Sequence, residues 1–120
     1  MRTDLDVNVL ADRNPQFVKL SDGSIRNGYQ LKILNKTANP RDYLVTIDGL
    51  PGAQLRLDGA DLDQGRLGQV SVEANKLRNV RTFVTLPENA IPDKSRDFTF
   101  VVLPLDGGRR QTQTATFEAP

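Results

Sequence analysis

Apolar residues recur with a period close to two along nearly the whole chain, and no stretch sustains the spacing of an amphipathic helix. That pattern commits the chain to strands. Leu5, Val7 and Val9 alternate with Asp4, Asp6 and Asn8, as in a strand with one wet face. Asp12-Arg13-Asn14-Pro15 interrupts it, because Pro15 cannot donate to a ladder and pushes Asn14 towards extended geometry. Phe17-Val18-Lys19-Leu20 resumes pairing and is expected to switch sheets, as split first strands do in immunoglobulin-like sandwiches.

Further strands follow at short, regular intervals. Ser21-Asp22-Gly23-Ser24 is a turn, after which Tyr29, Leu31 and Ile33 alternate with Gln30 and Lys32. Val45 and Ile47 mark the next strand, and Leu55 to Leu57 a short edge strand beyond Gly49-Leu50-Pro51-Gly52. Asp58 to Gly68 is expected to cross between sheets. Strands around Val70–Val72 and Val80–Leu86 come next, the second stopping at Pro87. Phe98 to Leu103 is apolar on both faces, as in a central, doubly covered strand, and Gly107-Gly108 turns it into Gln111–Phe117. The expected fold is all-β: one immunoglobulin-like Greek-key β-sandwich of seven to eight antiparallel strands over residues 1–120.

Composition narrows the chemistry. The chain has no Cys and no His, so thiol catalysis, disulfides, zinc sites of the usual kinds and a Ser–His–Asp arrangement are excluded within it. A net charge of +1 argues against a dedicated nucleic-acid binder. Asp58, Asp61 and Asp63 lie on a glycine-rich loop that could take calcium, yet their spacing misses the EF-hand pattern, and an ordinary solvated crossover is the preferred reading. Asn35-Lys36-Thr37 matches a glycosylation acceptor, a pattern short enough to arise by chance. An intrinsic active site is not expected.

Two groups of residues are candidates for interaction. Asp12, Arg13, Asn14, Asp22, Arg26 and Asn27 bracket the first kink and turn. They read first as a network fixing the strand switch, with Asp12 or Asp22 paired to Arg26 and Asn14 or Asn27 capping backbone groups. The competing reading is a recognition surface for a partner. In such a sandwich the N-terminus shares a pole with loops that here carry Lys36, Arg41, Lys76, Arg78, Arg109 and Arg110, with Asp42 and Asp106 as acidic exceptions. The preferred reading is that these are ordinary polar loops, and the competing one is a basic pole beside Arg2. It could face anionic lipid headgroups, at about 1 kcal/mol per well-placed cation, or another part of a parent protein. Edge strands could pair in a dimer, but a monomer is expected.

The segment from Asp12 to Lys36 also resembles a known family. Asp12-Arg13-Asn14-Pro15, Phe17-Val18, Leu20-Ser21-Asp22-Gly23-Ser24-Ile25-Arg26-Asn27, Tyr29 and Leu31-Lys32-Ile33-Leu34-Asn35-Lys36 are similar to the start of the C-terminal immunoglobulin-like domain of the FixG/CcoG cytochrome oxidase accessory proteins. Tyr43, Gly49-Leu50-Pro51-Gly52-Ala53 and Arg81-Thr82-Phe83-Val84 continue the resemblance at looser spacing. It implies a fragment of a larger membrane iron–sulfur protein, tethered through a preceding membrane helix on the periplasmic side. The parent would act in assembly and copper maturation of cbb-type cytochrome oxidase.

The resemblance carries over no catalytic residue. Without Cys or His this chain cannot hold an iron–sulfur cluster, so no cofactor is expected in it and it is not expected to be an enzyme. What remains is docking to an oxidase subunit, a copper chaperone or the parent's membrane region. The alternative is a free-standing secreted or surface adhesion or chaperone-like sandwich, which a cleavable signal peptide would mark.

Overall fold

Clean alternation becomes strand throughout the computed structural model, which describes residues 4–13, 17–59 and 65–120 in full and residues 62–63 by backbone alone. The strands are β1 (Leu5–Ala11), β2 (Phe17–Lys19), β3 (Ile25–Asn35), β4 (Arg41–Asp48), β5 (Gln54–Leu57), β6 (Leu62–Asp63), β7 (Leu67–Val72), β8 (Leu77–Leu86), β9 (Arg96–Pro104) and β10 (Gln111–Phe117). They build two five-stranded antiparallel sheets. Sheet A runs β1-β3-β8-β5, with β2 also paired to β3, and sheet B runs β10-β9-β4-β7-β6. The all-β sandwich is therefore as expected, with more strand segments than the seven to eight read from spacing. Two extra pieces account for this: the interrupted first strand counts twice, and the crossover contributes β6.

Strand parity sets the core. In β3 the odd positions Tyr29, Leu31 and Ile33 are buried, and they face Val45, Val70, Phe100 and Val102 of sheet B. Tyr29 meets Phe98 and Phe100 edge-on, with ring centroids 5.7 and 5.4 Å apart. Such aromatic pairs contribute about 0.5–1.5 kcal/mol each beyond area burial.

Two local expectations are corrected. β2 does not switch sheets: Phe17 lies opposite Asn27 and Ala11 opposite Tyr29, both on β3. Asp12 and Arg13 thus leave the edge ladder in a bulge, with only Gly28 of β3 between the partners of Ala11 and Phe17, and the Gly28 carbonyl accepts from the Asp12 amide at 2.9 Å. Nor is β9 covered twice. Phe98, Phe100 and Val102 are buried, whereas Val101 is half-buried and Leu103 is 37% exposed on the outer face.

Candidate interaction surfaces

The kink residues come together, but with other partners than the sequence suggested. Asp12 pairs with Arg81 of β8, not with Arg26, through an Arg81 Nη1 bond of 2.6 Å and a second, shorter one from Nη2. That hydrogen-bonded guanidinium holds the Asp12 carboxyl below its usual range. The reach is possible because Gly28 lies between them on β3. A Cβ at Gly28 would collide with the Asp12 carboxylate and sit 2.9 Å from Arg81 Nη2. Arg26 instead stacks on Phe83, its guanidinium carbon 4.8 Å from the ring centroid, and Arg81 flanks the same ring at 5.1 Å.

The other kink residues are structural. Asp22 accepts from the Ser24 hydroxyl and, at 3.0 Å, from the Ser24 amide, which together lower its carboxyl pKa and close the turn. Asn27 is buried and clamps the backbone after β10, giving to the Glu118 carbonyl at 3.0 Å and accepting from its amide at 2.9 Å. This is the expected capping of backbone groups. Arg13 is exposed, and Asn14 lies outside the described residues. Beside this network an open groove of about 800 Å³ runs over β8 and β5, lined by Arg26, Arg56 and Phe83 with Asp22 and Asp58 at its rim. Its charges balance, which gives it no preference for either sign of ligand.

The structure also gathers the candidate pole. The Lys36 amide donates to the Asp4 carbonyl, Asn35 to that of Lys76, and Leu105 to that of Asp42, which places Lys36, Arg41, Lys76, Arg109 and Arg110 at one end. The same end carries Asp4, Asp6, Asp42, Glu73 and Asp106. Lys36 pairs with Asp6 at 2.7 Å, and Arg41 with Asp106, its Nε 2.9 Å from the carboxylate. Arg78 leaves the rim and ties the sheets together, donating to the Ser71 carbonyl at 2.8 Å and to that of Gly59 at 2.6 Å. The pole is therefore mixed in charge, because its acids arrive from strand ends that the loop count did not include.

Asn35 is the residue of this pole that sequence reasoning read differently. It is fully buried, its amide giving to the carbonyls of Asn39 and Val72 and its oxygen taking from the Thr37 amide and hydroxyl. Its inward parity with Tyr29, Leu31 and Ile33 was the available signal. A glycan has no access to it.

Two buried tyrosines contrast with each other. The Tyr29 hydroxyl donates to the Thr116 carbonyl at 2.6 Å, whereas that of Tyr43 makes no well-formed hydrogen bond among the described residues and has only the nearby Arg41 guanidinium as polar company. Burial raises the pKa of both. Tyr43→Phe is expected to leave stability unchanged or raise it by about 1 kcal/mol, and Tyr29→Phe to lower it by about 1–2 kcal/mol. Urea denaturation of the two variants checks the contrast; equal losses would contradict it.

No group of three His, Cys, Asp or Glu suited to a metal occurs among the described residues. Of the three calcium candidates Asp58 is exposed, and Asp61 and the Asp63 side chain lie outside the described residues.

Comparison with known proteins agrees with the architecture. Residues 1–120 match the family described as an IG-like fold at the C-terminal of FixG. The chain is 39% identical over 119 residues to the nitrogen fixation protein FixG of Rhizobium meliloti, covering 99% of this chain and 23% of that one. It is 39% identical over 93 residues to the protein RdxA of Cereibacter sphaeroides, covering 77% of this chain and 19% of the relative. It thus spans less than a quarter of the length of these curated relatives. A crystal structure of a FixG-related protein from Vibrio parahaemolyticus superposes with a TM-score of 0.81 at 17% identity, over 98% of this chain and 97% of that one. The chain belongs to the family of immunoglobulin-like domains found at the C-terminus of FixG proteins.

Proposed function

We propose that this domain is a non-catalytic docking module of a FixG-type accessory protein, acting on the periplasmic side of the membrane in assembly and copper maturation of cbb-type cytochrome oxidase. Family membership over the full chain is the observation that carries this reading. Chemistry agrees with it: with no Cys and no His, cluster ligation and soft-metal redox work would fall to other parts of a larger parent. The mixed charge of the pole favours a protein surface, such as an oxidase subunit, a copper chaperone or the parent's membrane region, over a purely anionic lipid surface.

Removing residues 5–120 from the full-length protein tests the reading. Assembled, active cbb-type oxidase is expected to fall several-fold while the truncated protein still inserts in the membrane. Unchanged oxidase would remove the docking role.

A further inference from the structure

The pole that holds the start of β1 is knit into one platform. The Lys36 amide donates to the Asp4 carbonyl at 2.9 Å and the Asn75 amide to that of Thr37 at 3.1 Å. The Asn35 amide donates to the Lys76 carbonyl at 3.0 Å, and the Leu105 amide to that of Asp42 at 3.0 Å. These bonds tie the β1 start, the β3–β4 loop and the β7–β8 turn together and fasten the β9–β10 hairpin to β4, which the Arg41–Asp106 pair does a second time. Asn75, at φ 55° the one non-glycine of positive φ among the described residues, holds the β7–β8 turn tight. A surface set this firmly gives up little freedom when something docks on it.

The platform carries apolar side chains that the core leaves out. Among the described residues five large apolar side chains are exposed, and three belong to this end. Leu77, 56% exposed, opens β8 directly after its turn, Leu105, 48% exposed, follows β9, and Leu103 is the last residue of β9 but one. Leu10 and Val18 flank the Asp12 bulge instead. One exposed leucine needs no explanation, but three around one rigid end, among charges of both signs, have the composition of an interface between two domains of one chain.

What precedes the domain in its relatives names the occupant. The family stands at the C-terminal of FixG, and the matched stretch is 23% of the Rhizobium meliloti protein. The bulk of that chain therefore comes before the domain and enters it through the strand matching β1. Leu5, the first residue of β1, lies opposite Asn35 in this same pole. Three part-exposed leucines would hold a separate protein only weakly once its lost translational and rotational freedom is counted. A tether removes most of that cost, because it keeps the partner at an effective concentration on the order of mM.

We infer that this pole is an intramolecular docking surface, on which Leu77, Leu103 and Leu105 pack against the part of a FixG-type parent that precedes the domain. The packing rests on the docking reading above and narrows its three partners to the parent itself.

Photocross-linking in the full-length protein, in its own membrane, tests it. A benzophenone side chain replaces Leu77 or Leu105 and, as a control, Leu10, which is as exposed as Leu105. The labels at Leu77 and Leu105 are expected to join peptides of the preceding region within one polypeptide, beyond the few residues next to β1, and the label at Leu10 is not. Leu77→Asp is expected to lower the yield from the label at Leu105 about five-fold or more, with the amount of full-length protein unchanged. Cross-links from both positions to a separate protein overturn the inference while leaving the docking reading in place. Lipid adducts alone, no cross-link at either position, or a yield indifferent to Leu77→Asp overturn it too. The cross-link is read without oxidase, so loss of oxidase on deletion with no intramolecular cross-link removes this packing and nothing else.

Discussion

Asn35→Ala is expected to cost the domain about 3–5 kcal/mol, the largest loss of any single polar side chain considered. The residue ends β3 on the core side, and its amide reaches the Val72 carbonyl at 3.1 Å and the Asn39 carbonyl at 2.9 Å. Its oxygen takes the Thr37 amide at 2.9 Å and the Thr37 hydroxyl at 2.7 Å. One side chain therefore joins sheet A, the β3–β4 loop and the end of β7 in sheet B. Alanine leaves the Val72 carbonyl and the Thr37 amide without this partner, at about 1–3 kcal/mol for each one left unsatisfied, while the exposed Asn39 carbonyl keeps the Thr37 hydroxyl. Asn35→Asp fares no better, since it points a charge at carbonyl oxygens. Both variants should lower the melting temperature by about 10–20 °C. A shift of only a few degrees would show that the loop re-forms its bonds with water.

Gly28→Ala is expected to cost about 2–4 kcal/mol, although Gly28 lies inside a strand and is not among the glycines of positive φ. The usual reason for glycine is thus absent. What the position demands is empty space, because the Asp12–Arg81 ion pair crosses directly over its Cα. A methyl there displaces the carboxylate and loosens the bulge from which it comes. In the Asp12→Ala background the same change should cost about 1 kcal/mol or less, a coupling of at least about 1 kcal/mol in a double-mutant cycle. Additive losses would mean that Gly28 is required for some reason other than the ion pair.

Strands, the short edge strand at Leu55–Leu57 and turns were legible because period-two alternation and turn residues are local signals, whereas the sheet that β2 joins was not. Pairing was not. Asp12 looked suited to Arg26 because both flank the same turn, but β3 carries Arg26 towards Phe83, while β8 brings Arg81 opposite Gln30, next to the bulge. That neighbour lies 69 residues away in sequence, and no local pattern announces it. The basic pole was half legible. Loops could be assigned to one end by topology, yet Asp6 and Glu73 joined that end from strand termini. β9 was misread for a more useful reason, since its two apolar faces are real and only one of them is covered within this domain.

The measurement that tests the central claim most directly is a domain exchange in cells. Residues 5–120 of the full-length protein are replaced by an unrelated immunoglobulin-like sandwich of the same length, and assembled cbb-type oxidase is assayed. The account predicts loss of oxidase comparable to outright deletion, because a foreign sandwich keeps the spacing and discards the surfaces. Full oxidase from the exchanged protein would contradict it and leave the domain as a spacer.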